Sequence, residues 1–259
     1  MLNAILRPLF RALLSLRYRI TIVGLGGPLP KDERGMLFLP NHPALIDPVL
    51  VLTYLTARFP VRALAGKTRI DSPGVRWLAQ RVNVRAIEDS PRHGSASKRQ
   101  IAVVMRNVVR GLNQGEALVL YPAGRIYRTY LEDVRSNTAV EFLVRACPGI
   151  RIVLVRTHGL WGSSFGRASG QPPKLGAALG RGLIGLLKSG LFFGPRRRIT
   201  IEFAEPTDFP RDAGRHEINR YLEAYYNEGA QLNTYVPYSL WERGGTRTLP
   251  EPDGEANAE

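Results

Sequence analysis

Residues 35–48 read GMLFLPNHPALIDP and join a short apolar run to a helical pattern through a proline-containing polar turn. The run at Gly35–Pro40 predicts a buried strand, and the spacing over Pro48–Phe59 predicts a helix with Asp47 as its N-cap. Pro48 at the first helical position supports this start, because the fixed φ of proline suits the first turn. The stretch therefore predicts a strand–turn–helix junction, the building unit of α/β folds.

The rest of the chain repeats this alternation of apolar runs and helical patterns. We predict an α/β fold with a mixed, largely parallel sheet flanked by helices, preceded by an N-terminal basic amphipathic helix. The predicted organisation is a membrane-associating helix in 1–24, a globular domain in 25–245 and a disordered acidic tail in 246–259. The further strands are expected at Ala117–Tyr121, Ile150–Arg156 and Arg198–Ala204, and the further helices at Ser97–Leu112, Thr138–Ala146 and Glu217–Glu228.

His42 and Asp47 flank the turn of the junction. Five positions apart on one helix, two side chains would stand about 140° apart and could not meet. Across a strand–turn–helix junction they can meet, because the turn brings the helix start back beside the strand end. A carboxylate on imidazole Nδ1–H fixes the tautomer and leaves Nε2 free to accept a proton. The alternative is that Asp47 is only a helix cap and His42 only a turn residue.

The charge balance is strongly basic. Lys and Arg number 36 against 22 Asp and Glu, which gives a net charge of +14 and a pI near 10.5. Such a chain is expected to bind polyanions. Apolar residues recur at helical spacing in residues 2–19 with arginines between them, which is typical of a helix lying in a membrane interface or packed on the domain. Gly176–Gly194 is apolar, glycine-rich and followed by Arg196–Arg198, and fits an interfacial hairpin, a tunnel lining or a buried helix.

Other classes of protein are disfavoured. One cysteine, Cys147, excludes an internal disulfide and a cysteine zinc site, and is expected in the core; the four histidines share no metal-ligand spacing, so no metal is expected. No run of residues reaches the length of a membrane-spanning helix. Nucleic acid is not the expected partner, because the arginines cluster near apolar helices rather than among exposed aromatics.

Four ordered blocks over residues 15–205 resemble the glycerolipid acyltransferases, the 1-acylglycerol-3-phosphate acyltransferase family. The blocks are Asn41-His42 with Asp47 after four residues, Ala65–Ile70 with Pro73–Leu78, Tyr121–Ile126, and Ile152–Arg156. The Gly-Arg-Ile form of the third block is most similar to the branch that acts on 2-acylglycerophosphoethanolamine. The resemblance makes residues 25–245 an acyltransferase domain.

The resemblance implies acyl transfer from a thioester, acyl-CoA or acyl carrier protein, to a hydroxyl of a lysophospholipid or glycerophospholipid. His42 would be the general base and Asp47 its orienting partner. The turn with Ala123, Gly124 and Arg125 would bind the acceptor's phosphate, with Lys67 as a weaker candidate. No cofactor is implied besides the acyl donor. The expected location is the cytoplasmic face of a membrane, peripheral or monotopic, with an anionic surface as partner.

Three positions depart from the family's pattern. The glutamate of the third block is Ala123 here, the serine two residues after the histidine is Ala44, and Ile87-Glu88-Asp89 stands where an arginine commonly closes the second block. Because His42 and Asp47 are both retained, these departures favour a working enzyme with an altered acceptor preference. The alternative is a catalytically silent relative that binds lipid or an anionic membrane.

Overall fold

The computed structural model describes residues 2–24, 35–66, 84–87, 95–229 and 231–252. A seven-stranded sheet lies at the centre of the molecule, and a two-stranded sheet lies near the C-terminus. In chain order the elements are α1 (Leu2–Arg17), β1 (Tyr18–Val23), β2 (Met36–Pro40), α2 (Asp47–Leu55), β3 (Val61–Gly66), β4 (Val84–Ile87), α3 (Ser95–Asn113), β5 (Ala117–Val119), α4 (Ala139–Ala146), β6 (Arg151–His158), α5 (Leu175–Lys188), β7 (Arg197–Ala204), α6 (Arg215–Asn227), β8 (Thr234–Tyr235) and β9 (Arg247–Thr248).

The strand order of the large sheet is β1-β7-β6-β2-β5-β3-β4. All the neighbouring strands described run parallel except β6 and β7, which pair antiparallel. The predicted mixed, largely parallel α/β sheet is therefore confirmed. At its centre β2 lies between β5 and β6, with Leu37 beside Leu118 on one side and Ile152 on the other.

Both faces of the sheet are covered, so its central strands are apolar throughout rather than alternating with polar residues. Phe38 and Val153 face a core shared with α1, α2 and α5. Leu37 and Ile152 point to the opposite side, into a core shared with α3, α4 and α6. Cys147 is buried in this second core, as expected.

The start of α2 differs from the prediction. Ile46 occupies the N-cap position and makes no side-chain cap, while Asp47 is the first helical residue and is fully buried. Its backbone N–H bonds to the Ala44 carbonyl inside the turn, and its carboxylate faces the strand ends instead of the helix N–H groups. The predicted N-cap role of Asp47 is therefore wrong.

The N-terminal helix is shorter than predicted and continues into the sheet. α1 ends at Arg17 and includes Pro8. Tyr18–Val23 then forms β1, the edge strand that pairs parallel with β7. Arg17 stacks on the Tyr238 ring at 4.1 Å and donates to the Pro195 carbonyl. The N-terminal segment therefore contacts the C-terminal part of the domain through the side chain of Arg17.

The apolar stretch Gly176–Gly194 is largely α5, and it is not a buried helix. Only Ala178 and Gly185 are buried along α5. Gly185 allows a close approach, because a Cβ there would lie 2.5 Å from the carbonyl oxygen of Tyr238. Four large apolar side chains of the helix point outward, those of Leu179, Leu183, Ile184 and Leu187.

One arginine of the Arg196–Arg198 run is a buried anchor rather than part of a basic surface. Arg197 donates to the carbonyls of Gly159, Trp161, Gly162 and Thr234. Four acceptors satisfy a buried guanidinium and tie the loop after β6 to β8.

The C-terminal segment, predicted as a disordered tail in 246–259, is partly ordered. Residues 246–252 contribute β9, which pairs antiparallel with β8. The Glu251 carboxylate accepts a hydrogen bond from the Trp161 indole at 2.8 Å. Residues 253–259 lie outside the described part of the chain.

Candidate active site

The site lies at the edge where β2, β5 and β6 end. These strands are parallel neighbours, so their carboxyl ends meet at one edge, the usual place for ligands in such sheets. His42 follows β2, Tyr121 follows β5 and Thr157 is the residue before the last of β6. Asp47 reaches the same edge from the first turn of α2.

His42 and Asp47, singled out in the sequence, are brought together by the junction. His42 Nδ1 lies 4.0 Å from Asp47 Oδ2, and the Asp47 side chain is fully buried. This separation is longer than a hydrogen bond. Catalytic contacts are often long in enzymes without substrate and shorten when it binds. The Tyr121 ring packs on the imidazole at 4.6 Å between ring centroids and so fixes one of its faces.

Two carboxyl groups at the site resist ionisation. Burial raises the pKa of Asp47 from 3.8 to about 7, and the hydroxyls of Thr157 and Tyr121 act in the opposite direction. Burial also raises the pKa of Glu132, to about 8. The hydrogen bond from the His42 backbone N–H lowers this pKa, and the nearby Asp47 raises it. The pKa values of both groups therefore lie near neutral pH, which is common for groups at active sites.

The backbone of His42 is held at both of its polar groups. Its N–H donates to Glu132 Oε2 at 2.6 Å, and its carbonyl accepts the N–H of Tyr127 at 2.9 Å. Asn41, the preceding residue, donates to the Tyr127 hydroxyl and accepts the N–H of Thr157. Sequence reasoning missed these partners. For Asn41 its place beside His42 was an available signal, whereas Glu132 and Tyr127 carry none.

The third block forms a tight turn rather than an open anion cradle. Gly124 adopts φ 63°, a conformation that favours glycine. Its N–H donates to the Tyr121 carbonyl and is therefore not available to a phosphate. Ala123 is half-buried in the same turn. Lys67 lies outside the described residues.

Arg125 is engaged with a carboxylate. Its Nη2 lies 2.7 Å from Asp133 Oδ2, and the Nε of Arg135 lies 3.0 Å from the same oxygen. Two guanidinium groups thus converge on one anionic oxygen. Asp133 is more than half exposed, so this interaction is open to solvent and an incoming anion competes with it at low cost.

The described residues contain no group of three or more His, Cys, Asp or Glu side chains arranged to hold a metal ion. The polar groups that the described residues bring to the site are one imidazole, two buried carboxyl groups and the nearby guanidinium groups.

A comparison with protein families shows to which family the chain belongs. A family model described as Acyltransferase matches residues 25–158, more than half of the chain. The chain belongs to the acyltransferase family. The resemblance drawn from the four sequence blocks is thereby confirmed at the level of the family.

A solved structure shares the fold. The crystal structure of the 1-acyl-sn-glycerophosphate (LPA) acyltransferase PlsC from Thermotoga maritima superimposes with a TM-score of 0.56 at 16% sequence identity. The similarity covers 88% of this chain and 78% of that chain. At this identity the likeness concerns the fold, which extends over nearly the whole chain.

Replacing Asp47 with asparagine tests the electrostatics of the site. The folded-state pKa of about 7 lies above the ordinary 3.8, so the folded protein binds more protons than the unfolded chain between these values. The wild type therefore loses stability as the pH rises through this window, whereas Asp47→Asn has no proton to lose. Measured by urea unfolding, the stability of Asp47→Asn relative to wild type should rise by about 2 to 3 kcal/mol between about pH 5 and pH 8.

The exposed Asp212 provides the matched control. Asp212→Asn should differ from wild type by less than about 0.5 kcal/mol at both pH values. A relative stability of Asp47→Asn that does not change with pH would show that the carboxyl group of Asp47 is ionised at little cost.

Proposed function

We propose that this protein transfers a fatty acyl chain from a thioester, acyl-CoA or acyl carrier protein, to a hydroxyl of a lysophospholipid. The observation that carries the proposal is the pairing of His42 with the buried Asp47, 4.0 Å apart at the carboxyl edge of the sheet, in a member of the acyltransferase family.

The proposed reaction uses His42 as general base. Its Nε2 takes the proton of the acceptor hydroxyl while the hydroxyl oxygen attacks the thioester carbonyl. The tetrahedral intermediate collapses by breaking the carbon–sulfur bond, and the imidazolium returns the proton to the departing thiolate. Asp47 orients the ring through Nδ1 and stabilises the imidazolium while it exists. No acyl-enzyme forms, so Cys147 has no part in this scheme.

Replacing His42 with alanine should remove acyl transfer and leave the fold intact. Loss of a general base costs roughly 10²- to 10⁴-fold in rate. The assay is thioester-dependent release of free thiol in the presence of a lysophospholipid. The exposed His216 on α6 is the matched control, and His216→Ala should retain the wild-type rate.

The same assay separates the enzyme from a silent relative. Thiol release by the wild type that depends on the lysophospholipid supports the transferase. Binding of lipid by a wild type that releases no thiol would favour the silent relative, and equal turnover by His42→Ala would remove His42 from the mechanism.

Arg125 is the proposed ligand of the acceptor's phosphate. It lies close enough to Glu132 for its charge to lower the pKa of that carboxyl group, and Glu132 in turn bonds to the backbone of His42. A phosphate oxygen would take the place that Asp133 Oδ2 holds between Arg125 and Arg135. Arginine suits this role because its planar fork bonds two oxygens at once.

Arg125→Ala should raise the KM for the acceptor at least about tenfold, because a hydrogen bond to a charged group is lost. The KM for the thioester should change little. Arg125→Lys should recover part of the loss, since lysine offers one point charge. Asp133→Asn should act in the opposite direction and lower the acceptor KM. Equal effects of Arg125→Ala on both substrates would show a structural role or a role in donor binding.

We further propose that the protein docks on an anionic membrane without crossing it. None of the described helices combines the length and apolarity that crossing a bilayer requires. Large apolar side chains are nevertheless exposed on α1, on α5 and after α5, and we name them the apolar face. Its members are Leu9, Leu13, Leu179, Leu183, Ile184, Leu187, Leu191, Phe192, Phe193, Leu240 and Trp241.

The parts of the apolar face lie together. α1 packs against α5, and the Trp241 indole donates to the carbonyl of Lys188 at the end of α5. A contiguous apolar surface of this kind marks an interaction site.

Charge favours a lipid surface as the partner. No acidic residue occurs in 1–31 or in 142–201, the segments that contain α1 and α5. The exposed Arg11, Arg181 and Lys188 accompany the leucines, and each basic residue near an anionic surface contributes about 1 kcal/mol. The proposed acceptor is itself a membrane lipid, so docking brings the site to its substrate.

Flotation with vesicles tests this docking. Binding to vesicles that contain anionic lipid should weaken at high salt without vanishing, because salt screens charge but not apolar contact. Phe192→Ser with Phe193→Ser should lower the partition coefficient at least about tenfold, since each exposed ring loses its apolar burial. Phe142→Ser is the matched control, because Phe142 is exposed on α4, on the opposite side of the sheet.

Each other outcome excludes the docking proposal or changes it. Protein that stays in the soluble fraction with anionic vesicles at low salt excludes docking. The wild type could instead form a dimer in the absence of vesicles. If the double serine variant is then a monomer, the apolar face binds a second copy of the chain.

A further inference from the structure

The site holds a second buried carboxyl group that the proposed mechanism does not use. We propose that Glu132 is the positioning residue of the general base: it holds His42 by its backbone amide and so sets the imidazole against Asp47. This inference rests on the proposed function of His42 and adds a residue that the sequence blocks do not contain.

The contact is short and fully enclosed. Glu132 is 4% exposed, and its Oε2 accepts the His42 N–H at 2.6 Å. The chain leaves the sheet between Asn41 and His42. The Asn41 N–H still bonds to the carbonyl of Val155 on β6, whereas the His42 N–H bonds to Glu132. His42 N–H is thus the first amide beyond the strand pairing. Glu132 is the acceptor of this buried donor, and removing the acceptor of a buried N–H is unfavourable because the donor has already given up its hydrogen bonds to water.

The position of Glu132 is fixed in turn by one face of α6. Asn219, Glu223 and Asn227 recur at every fourth residue and point to the same side of the helix. Asn227 bonds both polar backbone groups of Glu132, at 2.7 and 3.0 Å. Glu223 accepts the N–H of Val134 at 2.7 Å.

Asn219 completes this polar ladder by donating to the carbonyls of Arg135 and Asn137. The segment that carries Glu132 is therefore hydrogen-bonded to α6 along its backbone. A carboxyl group on a segment held in this way can keep the His42 backbone in one position.

The turn after β5 offers no substitute. Residue 123 is alanine, so that turn brings no carboxylate to the site from this position. Glu132 arrives from the loop that follows instead. Its carboxyl oxygen points at a backbone amide and is shielded from solvent, which separates its role from that of a proton-transfer group.

Hydrogen-bond acceptance, rather than charge alone, is what this role requires. Glutamine keeps an acceptor oxygen at the same length, and leucine keeps only the volume.

The kinetic test compares Glu132→Leu, Glu132→Gln and a control in one purified set. Glu132→Leu should lower kcat by roughly 10²-fold with little change in either KM, because a small misplacement of the base costs about that much. Glu132→Gln should lose less than about tenfold, since an amide oxygen still accepts the N–H, though less strongly than a carboxylate.

Asn233→Leu is the matched control, because Asn233 is equally buried and anchors the backbone carbonyls of Ala168 and Pro250. It should retain the wild-type kcat per folded molecule. A folded Glu132→Leu as active as this control, or a Glu132→Gln as impaired as Glu132→Leu, overturns the proposal.

A second measurement does not depend on catalysis. The chain has four histidines, so selective ¹⁵N-histidine labelling gives one amide signal for each, and the signal missing in His42→Asn identifies His42. A strong bond to a carboxyl group should shift this amide proton downfield, and Glu132→Gln should move it upfield while the other three signals stay in place. An unmoved His42 signal overturns the proposal even where Glu132→Leu does not fold.

The two measurements separate the two hypotheses. A wild type without lysophospholipid-dependent thiol release contradicts the proposed function, whereas the amide signal still reports whether Glu132 holds His42. Active wild type with an unaffected amide signal contradicts the role of Glu132 alone.

Discussion

The parallel pairing of β2 between β5 and β6 is the constraint on which the structure depends. Its register places Leu37 and Phe38 in different cores, so a slip of one residue would send each side chain to the wrong face. The same register ends the three strands at one level and brings His42 to Thr157 and Tyr121. Packing of the two cores therefore aligns the strand ends that bring His42, Tyr121 and Thr157 to one edge of the sheet.

Apolar runs bounded by turn residues predicted β2, β5, β6 and β7, because a strand buried on both faces leaves a continuous signal in sequence. β1 was hidden for a physical reason: no glycine or proline separates it from α1, so its residues extend the helical pattern. β3 and β4 were also missed. The prediction that Asp47 caps α2 was wrong because aspartate at a helix start is usually a cap, and here the carboxylate instead faces the strand ends.

His42 and Asp47 were found because they lie only five positions apart and one junction explains their meeting. The remaining groups of the site could not be found in this way. Glu132 stands 90 positions from His42 and Asn227 another 95 positions from Glu132, and each is a common polar residue without a distinctive neighbourhood. Only the tertiary arrangement of α6 against the loop shows that they act together. The sequence also did not show that the Gly124 N–H donates to the Tyr121 carbonyl inside its own turn. The phosphate-binding role of this turn stays a prediction, which depends on Arg125.

The polar ladder on α6 has a consequence for the order in which the chain is made. The stretch matched by the family model ends at residue 158, before β7 and before α6 at Arg215–Asn227. A nascent chain that has emerged only as far as residue 158 holds His42, Asp47 and Glu132 but lacks the helix that orders the Glu132 segment. Since domains fold as synthesis proceeds from the N-terminus, the site is completed only after α6 has left the ribosome. A fragment cut at the family boundary would carry the motif without the support that sets its geometry.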